Sequence, residues 1–263
     1  MCGLTFSTRS RILLQRFLQL SSISLSPSLL LRCGVNTRSK ITALSKPNSS
    51  RLCAFMATSG AFTRQQYDYF LVLDFEATCE EKKHLHPQEI IEFPILKING
   101  RTMEEDSRFH TYVQPVYHPH LTPFCTKLTG IIQEMVEGQP TLQHALQMVD
   151  DWMKKEDLLN PDVRSVFVTC GDWDLKTMLP GQCEYLGLQV PDYFKQWINL
   201  KKVYASTTGI WPRKNDLISM IHGLQLKHVG RHHSGIDDCL NIASIMRELV
   251  RRGVVLERTY PSL

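Results

Sequence analysis

The stretch Tyr69-Phe-Leu-Val-Leu-Asp-Phe-Glu-Ala-Thr78 decides the fold. Tyr69 to Phe75 is a short apolar run rich in β-formers, which predicts a buried strand. Two acids, Asp74 and Glu76, interrupt it. Residues two apart on a strand point to one face, so both carboxylates are expected to converge at its carboxyl end, where α/β sheets commonly place their sites. An exposed strand end with two solvated acids would leave the same trace, so one pair alone does not define a site.

Working outward, Glu89 to Ile98 and Arg108 to Val113 follow at hairpin-like separations and read as further strands. Thr141 to Lys155 sets Leu142, Ala145, Leu146, Val149, Trp152 and Met153 at helical spacing, which predicts a helix with one face on the sheet. Ser165 to Thr169 is another buried strand by the same reading. Asn215 to Gly223 predicts a short helix ended by Gly. Asp237 to Arg251 predicts a longer one with Leu240, Ile242, Ala243, Met246, Leu249 and Val250 as its apolar stripe. Acids open that helix and Arg247, Arg251 and Arg252 close it, matching the helix dipole. Strands first, then strand and helix in alternation, predict an α/β fold with a mixed sheet flanked by helices.

The formal charge of +4 is uneven along the chain. Residues 1–67 hold nine Lys+Arg, twelve Ser and no acid, and Thr8 to Leu18 can form a short amphipathic helix with Arg on its polar side. This is the composition of an organelle transit peptide, the alternative being a basic tail that holds RNA. A chloroplast stroma is the first expectation and a mitochondrial matrix the second, with a cytoplasmic form if translation starts at Met56. The remaining 196 residues carry 21 basic and 26 acidic residues, a net −5, and their length suits one domain. The expected division is a leader and linker over 1–67, a domain over 68–255 and a tail over 256–263. With 43% hydrophobic and 21% charged residues the chain is of ordinary globular composition, and no apolar run approaches the ~20 residues of a membrane span. Cys79, Cys125, Cys170, Cys183 and Cys239 leave an odd number outside the leader with no CxxC spacing, which argues against a disulfide framework or structural zinc. The pairs His84/His86 and His118/His120 sit in Pro-containing loops and read as surface histidines.

Two further segments change the weight of the first acid pair. Cys170-Gly-Asp-Trp-Asp174 follows a buried strand directly, and Gly230-Arg-His-His-Ser-Gly-Ile-Asp-Asp238 leads into the last helix. Each alone could be a turn or an N-cap. Together they place acids at three element ends, with a histidine five residues before one of them. Clustered carboxylates repel in a partly buried site and are stable chiefly when divalent cations neutralise them. Hard oxygen donors without thiolates point to Mg²⁺ or Mn²⁺ rather than zinc.

The motifs Asp74-Phe-Glu-Ala-Thr-Cys-Glu80, Glu89-Ile-Ile-Glu-Phe-Pro94, Phe124-Cys-Thr-Lys-Leu-Thr-Gly130, Trp173-Asp174, Trp197-Ile-Asn-Leu-Lys-Lys202 and Gly230 to Ala243 resemble the ERI-type (enhanced RNA interference) 3′→5′ exoribonucleases of the DEDDh superfamily. The resemblance spans roughly residues 68–253 and implies a ribonuclease H-like fold. It implies that Asp74, Glu76, Asp174 and Asp238 are the metal-binding acids and His233 the general base. On family spacing, Asp174 rather than Asp172 is the third acid; Asp237 becomes a helix cap and His232 a bystander. Two Mg²⁺ ions, with Mn²⁺ as a substitute, would activate water and stabilise the leaving 3′ oxygen. His233, ordinarily titrating near ~6.5, would accept the water's proton, so activity should rise through neutral pH.

For the terminal nucleotide the resemblance nominates Phe124 and Trp173 as stacking surfaces, with Glu76, Ala77 and His233 beside the sugar and phosphate. The implied substrate is RNA with a free 3′ end, single-stranded or with a 3′ overhang, and the product a nucleoside 5′-monophosphate. No SAP-type module precedes the nuclease segment and no zinc-finger pattern follows it, so stem-loop specificity is not expected. Lys201, Lys202, Arg213, Lys214, Lys227 and Arg231 are a candidate RNA grip or a solvated surface. Family and leader together suggest 3′-end trimming of organelle ribosomal or small RNA. A DNA-directed DEDDh exonuclease and a non-catalytic RNA-binding protein are the alternatives.

Overall fold

The computed structural model describes residues 62–213 and 216–261, so the leader lies, apart from its last residues, outside the described chain. Six strands form one mixed sheet: β1 (Tyr69–Leu73), β2 (Glu76–Ala77), β3 (Ile90–Asn99), β4 (Glu105–Tyr112), β5 (Ser165–Thr169) and β6 (Trp197–Asn199). β3 lies antiparallel between β4 and β1, and β1, β5 and β6 run parallel. β2 continues β1 along the same side of β3, with Leu73 opposite Ile95 and Glu76 opposite Glu92. β1, β3 and β4 form the expected meander.

β1 stops at Leu73, two residues short of the strand expected over 69–75. The reason is a long-range hydrogen bond: the Phe75 amide donates to Asp174 Oδ1 at 2.9 Å. Asp74 therefore lies in a break between β1 and β2, and the argument from residues two apart on one strand does not apply to it.

The two faces of β1 feed separate cores. Leu71 and Leu73 pack with Phe93, Phe167 and α3 (Leu142–Lys155), whose Leu142, Ala145, Leu146, Val149 and Met153 are buried as its spacing predicts. Phe70 and Val72 pack under α5 (Leu200–Thr208), α6 (Asp216–Gly223) and α7 (Gly235–Arg251). Burial on both faces explains the unbroken apolar run of β1. Three helices have no counterpart in the sequence reading: α1 (Pro123–Thr129), α4 (Leu179–Leu186) and α5, along with the single turn α2 (Gln133–Val136). They are short, and caps rather than an apolar stripe define α1 and α5. Thr122 Oγ1 accepts from the Cys125 amide at 3.0 Å, and left-handed Gly130 and Gly209 end the two helices.

α7 begins at Gly235, with Ser234 as N-cap residue. Asp237, expected as the cap, lies in the first turn, and its carboxylate accepts the Arg231 amide at 2.8 Å. Gly235 is required by proximity: a Cβ there would stand 2.7 Å from the Asp74 carbonyl oxygen. Among the described residues no helix is long and apolar enough to cross a membrane.

The packed body extends past residues 68 and 255. Gln65 is buried, donates to the Val254 carbonyl at 3.0 Å and accepts the Leu256 amide at 2.9 Å. Tyr260 stacks on Trp197 with centroids 3.9 Å apart and bridges to it through the backbone. Residues 62–67 and 256–261 are thus parts of the domain rather than linker and tail. Leu256 is fully buried, so Leu256→Ala is expected to cost about 2–5 kcal/mol in urea unfolding; a loss below about 0.5 kcal/mol would show that this segment does not carry stability.

Candidate active site

A cavity of about 450 Å³ opens where β1, β2, β5 and α7 come together, lined by Asp74, Glu76, Asp238, His232, His233 and Trp173 among others. Asp174 opens a π-helical turn (Asp174–Met178) directly after the β5 loop. It is buried, and its Oδ1 holds the Phe75 amide, which fixes the break between Asp74 and Glu76. Asp238 lies one turn into α7, with Oδ2 accepting the His233 amide at 2.9 Å. His233 is held at φ 64°, a left-handed conformation that costs a non-glycine residue about 1–2 kcal/mol.

The acids crowd one another. Burial, then Asp174, Asp238, Glu76 and Glu92, holds Asp74 well above the carboxylate range. Burial and then the charges of Asp238, Glu92 and Asp174 push Glu76 up to about 9. Asp174 rises to about 6 through burial, moderated by backbone hydrogen bonds from Phe75 and its own amide. Burial and the neighbouring His232 lower the pKa of His233, against a smaller opposing pull from Asp238. The imidazole is therefore neutral at lower pH than usual.

Glu76, His233 and Asp238 each offer a ligand atom within 4.8 Å of the others. Asp74 lines the cavity beside this cluster, and Asp174 reaches it through Phe75. Hard carboxylate oxygens gathered at the cost of their own ionisation are a donor set suited to divalent cations. The four acids and the histidine singled out in the sequence thus meet at one place.

Other expectations fare differently. Trp173 is 41% exposed at the cavity, open to stacking. Phe124 lines an adjoining depression with Lys127 and Leu128; Leu128, not Phe124, also lines the cavity. Asp172 is occupied elsewhere, accepting Trp197 Nε1 at 2.9 Å and pairing with Lys202 at 3.3 Å. His232 is no bystander: its ring stacks on His233 at 3.9 Å. Three of the basic residues are already engaged. Lys201 pairs with Asp216, Lys202 with Asp172, and Arg231 donates to the Lys127 and Leu128 carbonyls at the end of α1.

Glu92 lies within the Glu89–Pro94 motif. It is buried, accepts the Gly235 and Ile236 amides at 2.9 and 3.1 Å, and pairs with His110 Nε2 at 2.9 Å. Its neighbour Glu89 accepts the amides of Val116, Tyr117 and His118 and so shapes the loop beside the sheet. Only the apolar context of Glu89-Ile-Ile-Glu92 could have signalled two buried acids with backbone partners.

The exonuclease family profile RNase_T matches residues 71–246. The chain is 68% identical over 206 residues to ERI1 exoribonuclease 3 of Homo sapiens, covering 78% of this chain and 60% of that protein. It is 64% identical over 227 residues to the Bos taurus protein of the same name, covering 86% and 65%. The chain therefore spans under two thirds of these relatives' length. Among solved structures, the nuclease domain of 3′hExo, a DEDDh family member bound to rAMP, aligns with a TM-score of 0.70 at 37% identity, over 74% of this chain and 97% of that domain.

The raised carboxyl values have a thermodynamic consequence. Glu76 and Asp174 keep their protons in the folded state to about 9 and about 6, whereas unfolded carboxyls ionise near ~4. The folded state binds more protons across this window, so stability falls as pH rises through it. In EDTA the thermal midpoint is expected to decline from pH 5 to 9, and Mn²⁺ to raise it more at pH 8 than at pH 5. A midpoint insensitive to both would contradict the crowding of these acids.

Proposed function

Since this chain belongs to the RNase_T exonuclease family, as an ERI-type DEDDh member with a ribonuclease H-like fold, we propose that it is a metal-dependent 3′→5′ exoribonuclease releasing nucleoside 5′-monophosphates. The observation that carries the reading is that Asp74, Glu76, Asp238 and His233 line one cavity beside an exposed tryptophan, with Asp174 buried against it, holding the Phe75 amide and acting on the charge of Asp74. The rAMP bound by the 3′hExo domain supports an RNA 3′ end as the ligand class.

Asp74, Glu76, Asp174 and Asp238 would hold two divalent ions, Mg²⁺ by donor chemistry with Mn²⁺ as a substitute. Such ions supply an acidified water and compensation for charge gathering on the phosphate. His233 accepts the proton of the attacking water on a ring nitrogen, its lowered pKa leaving that nitrogen free at neutral pH. Water oxygen bonds to phosphorus, the bond from phosphorus to the penultimate 3′ oxygen breaks, and that oxygen takes a proton from solvent, so the shortened RNA ends in a 3′-hydroxyl. Asp238 fixes His233 through its amide, so base and ligand move as one unit. The terminal base stacks on Trp173 and abuts Leu128, with the Glu76–Ala77 backbone beside the sugar and Phe124 contributing from the adjoining depression. The acid-free, Arg- and Ser-rich first 67 residues support organelle RNA trimming as the setting.

The test is hydrolysis of 3′- and 5′-labelled RNA by the full chain in Mg²⁺, with a matched DNA oligonucleotide alongside. Stepwise shortening from the 3′ end is expected, abolished by Asp74→Ala. Activity surviving that change, or a preference for DNA, would overturn the reading. His233→Ala is expected to lower kcat about 10²–10⁴-fold while Mn²⁺ binding persists. In the wild type the acid limb of the pH profile should fall below the ~6.5 of a free imidazole. Trp173→Ala should raise KM for short single-stranded RNA more than Phe124→Ala, because only Trp173 lines the cavity.

A further inference from the structure

His228, His232 and Asp238, the last shared with the Glu76 cluster, each offer a ligand atom within 4.8 Å of the others. His232 Nδ1 stands 3.4 Å from both Asp238 oxygens, long for a charge-assisted hydrogen bond. It matches the ~3.4 Å that separates two donors on one tetrahedral zinc ion with bonds near ~2.0–2.1 Å. His228 Nε2 is sealed from solvent and has no hydrogen-bond partner among the described residues. A buried imidazole nitrogen left unpaired calls for an explanation, and a bound ion is one.

The segment carrying these ligands is preorganised. Asn241, buried on α7, accepts the Val229 amide at 3.0 Å and donates to its carbonyl at 2.8 Å, which holds the backbone next to His228. Asp237 holds the Arg231 amide, and a Cβ at Gly230 would collide with the Asp237 carboxyl at 2.2 Å. His232 is braced by its stack on His233.

We infer that His228, His232 and Asp238 form a binding site for a borderline-soft divalent ion of the zinc class, next to the site of the hard catalytic ions. Two imidazoles and one carboxylate are a zinc-type donor set, and because His232 and Asp238 line the cavity a water can take the fourth position. Asp238 also belongs to the cluster with Glu76 and His233, so zinc on the histidine side withdraws it from that cluster. Zinc is therefore an inhibitor of the Mg²⁺-supported reaction. That consequence rests on the proposed nuclease function; the binding site does not.

The experiment titrates the full chain with Zn²⁺ against a chromogenic chelator, and with Co²⁺ followed by visible absorption, for the wild type, His228→Ala and the size-conserving His228→Gln. Both variants are expected to weaken zinc binding at least about tenfold and to lose the tetrahedral Co²⁺ band. Their Mg²⁺-supported rate should stay at the wild-type level, with the inhibitory zinc concentration raised by a similar factor. Equal zinc affinity in wild type and both folded variants overturns the site. Zinc affinity lost in the variants while the wild type shows no nuclease activity upholds the site and rejects the nuclease reading instead.

Discussion

The buried carboxylate of Glu92 ties the last helix to the sheet, and the geometry of the site depends on that tie. It sits on β3 and accepts the first two amides of α7, groups that no residue inside the helix can satisfy. That bond draws Gly235 against the Asp74 carbonyl, close enough that no side chain fits between them. Asp238, one turn further on, and His233, just before the helix, are carried into the cavity as a result. Asp174 exerts the matching constraint from the other side by holding the Phe75 amide. The site is thus framed by two acids that each hold backbone amides.

Much of this was legible in the sequence, and the failures share a cause. β5, α3 and the body of α7 follow from apolar spacing, since each is long or buried enough for periodicity to speak. The acids at three element ends were legible as a set because neighbouring apolar runs marked where strands stop. The break at Asp74 was not, since Phe75 continues the apolar run and its hydrogen-bond partner lies 99 residues away. Glu92 escaped for the same reason, since the amides it accepts come from α7, and no local pattern announces that His228 comes close to Asp238. The Asp237 side chain was misread as a cap because Asp favours that position, whereas a loop amide claims it. The expected edges at 68 and 255 fall inside the packed body, since Gln65 bonds to residues 254 and 256 and Tyr260 stacks on Trp197.

The charge of the domain bears on how a polyanion could approach it. Lys201, Lys202 and Arg231 are spent on carboxylates and carbonyls, so these three do not form a free positive patch. On the proposed reading, attraction for phosphate comes chiefly from cations seated among the acids, and the aromatic face of Trp173 adds a contact indifferent to salt.

The joint between Gln65 and residues 254–256 has a dynamic meaning of its own. One side chain serves both ends of the folded body as donor and acceptor, so neither end can fray without releasing the other. Local opening there is a single concerted event, and amides at the two ends should exchange with solvent as one cooperative unit despite lying 191 residues apart in the chain.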